Sequence, residues 1–159
     1  MLIRSLLRFL LRGAGSPGSP VARWAATLLA VGGAALMIWS GVIHLELWGD
    51  GYKDIPTIGP LFLAQGAGSI VLALVVVAFR RLALLAAGAV ALIATAVGLL
   101  LTVYVGLFNY KESLSVPYAM LSLYVEFAGA GVLLVGAAVL ALAAPVRAPS
   151  NPSRATART

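Results

Sequence analysis

Apolar residues in this chain are gathered into four long runs, separated by short polar stretches. The runs cover about residues 24–48, 59–79, 82–108 and 117–144. Each is at least as long as the ~20 apolar residues that cross a ~30 Å hydrocarbon core as a helix. The pattern predicts an all-α fold: an integral membrane four-helix bundle, antiparallel and up-down-up-down. Trp24 and Trp48 bracket the first run, as interfacial anchors do at the two membrane surfaces. Pro60 falls in the first turn of the second, where its missing N–H costs little. Arg80 and Arg81 form the turn into the third. Ser115 is the expected cap of the fourth, with Pro117 in its first turn and Pro145 stopping it.

The flanks differ in kind. Residues 1–12 place Arg4, Arg8 and Arg12 on one helical face against leucines, which predicts a basic amphipathic segment lying on an anionic leaflet. The arginine at position 8 interrupts the apolar stretch, which argues against a cleaved signal peptide. Residues 13–23 read as a flexible linker and residues 145–159 as a disordered cytoplasmic tail.

Composition supports the membrane reading. The chain is 62% hydrophobic and 10% charged, against about 25% charged in a soluble domain. Its mean hydropathy is +1.03. The net charge of +6 is not a nucleic-acid signature, because the arginines sit in the tails and one turn, not along a basic groove. All arginines fall on one side of the expected bundle. Both lysines and the acids Glu46, Asp50, Asp54 and Glu112 fall on the other. The positive-inside rule then predicts cytoplasmic termini in an inner (plasma) membrane, with the 44–65 and 109–116 segments outside.

Chemistry-bearing residues are few. There is no cysteine, which excludes disulfides, thiol redox chemistry and thiolate metal sites by this chain alone. A single histidine excludes bis-histidine haem from one chain, and no cofactor or metal site is expected. Phosphate-loop, dinucleotide, nucleophile-elbow and zinc-protease patterns are absent. Small residues recur at helical spacing, and close-packed membrane helices need them at their contacts. The stripes are Gly33, Met37, Gly41 and His44 with Ser40 beside them; Ala94, Gly98, Thr102 and Gly106; and Ser122, Glu126, Gly129, Ala130 and Leu133. They predict that His44 and Glu126 point inward.

Counted from the helix ends, His44, Gln65, Thr102 and Glu126 fall at similar depth below the outer surface. They form a candidate polar pocket, with His44, Gln65 and Thr102 as possible partners for the Glu126 acid. The 49–60 connection is too apolar at Ile55 and Ile58 for a free loop. It is expected to fold back as a lid built on Tyr52, Asp54, Pro56, Thr57, Gly59 and Pro60.

The stretch HLELWGDGYKDIPTIGPLFLAQ, residues 44–65, resembles uncharacterised small actinobacterial four-span integral membrane proteins. The shared features are His44, Trp48, Gly51, Tyr52 and the run from Ile55 to Leu63. The resemblance implies a four-span architecture and no particular activity. The expectation is a non-enzymatic binding or accessory subunit with an outward-facing polar pocket. The alternative is a proton-coupled membrane enzyme or transporter-like protein acting on a lipid-soluble substrate such as a quinone or polyprenyl lipid. The lipid bilayer is the expected partner, with a larger membrane complex and a homo-oligomer both open. No nucleic-acid partner is expected.

Overall fold

The computed structural model describes residues 19–143. The amphipathic segment expected at 1–12, most of the linker and the tail expected at 145–159 lie outside the described residues. Four helices make up the rest: α1 (Pro20–Gly49), α2 (Ile58–Phe79), α3 (Leu82–Tyr104) and α4 (Ala119–Leu142). All four are long and apolar enough to cross a membrane. The shortest, α2, has 22 residues and is about 33 Å long at 1.5 Å per residue.

α1 begins at Pro20, inside the stretch expected to be linker. Ser19 caps it, its hydroxyl accepting from the Ala22 N–H at 3.1 Å, and Pro20 supplies a pre-set φ where no N–H partner is needed. α3 ends at Tyr104, short of Phe108, because Gly106 turns left-handed (φ 86°) and its N–H closes back on the Leu101 carbonyl. Leu107 and Tyr110 then pair through reciprocal 2.8 Å backbone bonds. The two residues between them, Phe108 and Asn109, have φ of 53° and 61°, the positive pair that a type I′ hairpin turn requires. Ser115 does not cap α4. Its hydroxyl pairs with Ser113, and the helix starts after Tyr118, with Pro117 outside it.

Packing registers show that the helices alternate in direction. Along α1 and α4, Leu29 meets Gly136, Gly33 meets Leu133, Leu36 meets Gly129, and Ser40 meets Glu126. As one number rises the other falls, so the pair is antiparallel. Leu85 with Gly136 and Leu92 with Gly129 give the same sense for α3 and α4. Gly41 with Ile70 and Leu45 with Gly66 do so for α1 and α2. α1 packs broadly on both α2 and α4, and α4 on α3, whereas α2 and α3 meet over the least surface of these neighbouring pairs.

The core is small and tight, with Ala30, Ala34, Met37, Ala73, Val76, Leu85, Leu92 and Leu133 at its centre. The backbones of α1 and α2 come together at Gly41 and Gly66. A Cβ on Gly41 would lie 2.8 Å from the Gly66 carbonyl oxygen, and one on Gly66 would lie 3.0 Å from that of Gly41. Without lipid-excluding force between helices, such contacts carry the association. One stripe reads differently from expectation. The face of α3 that packs is Leu85, Gly88, Ala89, Leu92 and Ala96, whereas Ala94 is exposed and a Cβ on Gly98 would meet open space.

Candidate functional site

The open space beside Gly98 is part of a cavity of about 470 Å³ at the 44–65 end of the bundle. α2 contributes Leu61, Phe62, Ala64 and Gln65, and α3 contributes Ala91, Ala94, Thr95, Gly98, Leu99 and Thr102. His44 and Leu47 of α1 and Ala119 and Ser122 of α4 close the back, and Tyr52, Phe108, Tyr110 and Glu112 come from the connections. Leu61, Ala64 and Ala94 are exposed as well as lining, so the cavity opens sideways between α2 and α3. A mostly apolar wall with a few convergent polar groups is the usual make-up of a small-molecule site.

His44, Gln65 and Thr102 do share this cavity; Glu126 does not line it. Glu126 lies behind His44, fully buried. Its Oε1 accepts hydroxyl bonds from Ser122 at 2.9 Å and Ser40 at 3.2 Å. Neither serine is among the partners expected for it. Gln65 donates to Ser69 and Thr102 to the Gly98 carbonyl. His44 Nδ1 lies 2.8 Å from the Ser40 carbonyl oxygen. A carbonyl oxygen only accepts, so Nδ1 carries a proton and Nε2 faces Glu126. Nε2 is 4.0 Å from Oε1, beyond direct hydrogen-bond reach. Glu126 Oε2 is buried without a hydrogen-bond partner.

Of the expected lid, only Tyr52 reaches the cavity, together with neighbouring Ile58. Asp54, Pro56, Thr57 and Pro60 are exposed on its outer side, and buried Gly59 packs against the Lys53 backbone. Tyr52 begins a 3-10 turn, Tyr52–Asp54, that brings its ring onto Phe62, with centroids 4.7 Å apart and nearly parallel. Tyr110 meets Tyr52 edge-on at 6.0 Å. Both phenols donate to Glu112 Oε2, Tyr52 at 2.5 Å and Tyr110 at 2.7 Å. The Glu112 N–H is itself tied to the Thr102 carbonyl at 3.2 Å. Burial, then the carboxylate bond, raises the Tyr52 pKa; burial is also the first cause for Tyr110. Both therefore remain protonated donors at neutral pH.

The Tyr52–Tyr110–Glu112 cluster was not legible along the chain, because it joins two separate connections. The Ser40 and Ser122 positions were: each lies one helical turn before His44 and Glu126 respectively. The connections around the cavity are also strained. Thr57 (φ 68°) and Tyr118 (φ 66°) hold positive φ, unusual for bulky and β-branched residues.

Among the described residues no group of three or more His, Asp or Glu is placed to hold a metal. Comparison with protein-family models, curated proteins and solved structures found no match. The functional reading therefore rests on the cavity's own geometry.

Proposed function

We propose that this chain is a multi-pass membrane protein that binds a lipid-soluble amphiphile in the cavity between α2 and α3. The observation that carries the reading is the cavity itself: about 470 Å³, apolar along α2 and α3, polar at one end, and open sideways. In a bilayer that opening faces acyl chains, so a ligand would enter along the membrane plane, tail toward lipid and head toward the connections. Arg23, Arg80 and Arg81 lie at the opposite end of the bundle from Lys53, Lys111 and Glu112. By the positive-inside rule we assign the arginine end and both termini to the cytoplasm, and the polar end of the cavity to the outer side of the inner membrane.

Gly98→Leu tests the binding reading. Its Cβ meets nothing within 4 Å, so a larger side chain starts into open space beside α3 and takes up room in the cavity. Native mass spectrometry from nanodiscs of native lipid is expected to show an amphiphile adduct on the wild-type chain and none on the variant. An equal adduct on both, or none on either, would refute the reading.

A second reading is favoured by one observation. His44 lines the cavity while its Nε2 faces a buried carboxyl with an unpartnered oxygen. A proton taken up by either group would couple ligand occupancy to pH. Under this reading binding varies with pH and Glu126→Gln abolishes that variation; under the first the variant binds as the wild type does.

A further inference from the structure

The polar end of the cavity is one-sided in its hydrogen bonding. Each hydroxyl among the lining residues already donates inside the protein. Tyr52 and Tyr110 donate to Glu112, Ser122 to Glu126, Thr95 to the Ala91 carbonyl and Thr102 to the Gly98 carbonyl. The Nδ1 proton of His44 is engaged by the Ser40 carbonyl. Gln65 commits one N–H to Ser69 and retains the second. What faces a ligand is therefore mainly acceptors: phenol and hydroxyl oxygens and a carboxylate.

That carboxylate has no cation within salt-bridge distance among the described residues. Among the described residues neither Lys53 nor Lys111 forms a salt bridge with Glu112. Its Oε2 is taken by the two phenols, while among the described residues Oε1 accepts only the Ser113 N–H at 3.0 Å. A carboxylate offers about four lone-pair directions, so Oε1 has room for another donor. The rings of Tyr52 and Tyr110 reach it through their hydroxyls, and Phe62 stacks on Tyr52; aromatic faces attract cations.

We propose that the cavity selects amphiphiles with a cationic, hydrogen-bond-donating head, a protonated long-chain amine, and that Glu112 is the anchor for that head. This deepens the binding reading above and rests on it. An ammonium supplies the donors the wall lacks and the charge Glu112 lacks. An alcohol supplies only the first, a ketone or quinone carbonyl neither, and a carboxylate brings repulsion.

The test uses the full chain in zwitterionic nanodiscs at pH 7 with four probes sharing a dodecyl tail: dodecylamine, dodecanol, a dodecyl methyl ketone and dodecanoate. Occupancy is read by native mass spectrometry and corrected for partition into empty nanodiscs. Dodecylamine is expected to bind at least about tenfold more tightly than dodecanol, which is roughly 1.4 kcal/mol, with dodecanoate weakest. In Glu112→Gln the amine preference is expected to fall to about that of the alcohol. Dodecanol, the ketone or dodecanoate binding the wild type as tightly as the amine would overturn the proposal and leave the cavity reading standing. So would an amine preference unchanged in Glu112→Gln. If that variant does not fold, the wild-type ranking alone decides. Binding of no probe, or equal binding to Gly98→Leu, would overturn the cavity reading and this proposal with it.

Discussion

Gly41→Ala separates a glycine held by close approach from one that is merely present in a membrane helix. At Gly41 the added methyl carbon would lie 2.8 Å from the Gly66 carbonyl oxygen and 2.9 Å from Ile70 Cγ1. Ordinary contact is about 3.5–4.0 Å between carbons, so α1 and α2 must separate by several tenths of an ångström. The oxygen belongs to a helical backbone and cannot rotate away. Overpacking of this kind costs about 1–3 kcal/mol. Against it stands the helix-propensity gain of alanine over glycine, about 0.8–1.0 kcal/mol in water-soluble hosts. The control is Gly131→Ala, where the new Cβ meets nothing within 4 Å and only the gain applies. The two variants should therefore differ by about 1–3 kcal/mol, with Gly41→Ala the less stable. Equilibrium unfolding in mixed micelles by sodium dodecyl sulfate, followed by tryptophan fluorescence, reads the difference. Equal stability of the two variants would refute the idea that the Gly41–Gly66 approach holds α1 to α2.

Three further outcomes follow from the polar groups and the cavity. Ser40→Ala, which removes the α1–α4 bond to Glu126, should cost about 0.6 kcal/mol, the average for an interhelical hydrogen bond in a membrane; Ser122→Ala, whose bond to Glu126 lies within α4, should cost no more. The double variant should cost more than their sum, because it strips Oε1 of both donors; additive unfolding free energies would count against a shared acceptor. Tyr52 has a raised pKa, so the stability tied to its bond with Glu112 is fully present below the unfolded tyrosine value, about 10, and is lost as pH rises through the folded value. Phenolate absorbance in the wild type minus Tyr52→Phe should accordingly appear only above that pH; a difference signal centred at or below it would contradict the cluster. Gly98→Leu should leave unfolding stability equal or higher while removing amphiphile binding, and a loss of stability would mean that the space beside α3 is not open.

The spans were legible because their signal is physical and redundant. Twenty or more residues that are apolar but for at most one acid have few alternatives to a membrane helix, and Gly-Pro and Arg-Arg punctuate them. The inward faces of α1 and α4 were also legible: Ser40, His44, Ser122 and Glu126 share helical faces with glycines that meet neighbouring side chains. The stripe Ala94–Gly98–Thr102 misled, because small residues serve equally where helices touch and where a cavity is left. Periodicity cannot tell these apart; only the position of α2 does. The starts of α1 and α4 were displaced for local reasons. Ser19-Pro20 is a helix start hidden in a linker-like composition, and Ser113 competes with the α4 backbone for Ser115. The mouth of the cavity was the least legible part. Tyr52, Tyr110 and Glu112 come together through a 3-10 turn and a type I′ hairpin whose central residues, Phe108 and Asn109, lack the glycine that usually announces one.

The most direct test of the binding claim is photolabelling of the nanodisc-embedded chain with a dodecylamine carrying a tail diazirine, followed by peptide mapping. Reaction concentrated on Leu61, Ala64, Thr95 and Leu99, and lost in Gly98→Leu, is the predicted result. Labelling spread evenly over Val71, Leu74, Leu134 and Val135, which are exposed on the bundle exterior, would show that the probe sees this protein only as a surface in lipid.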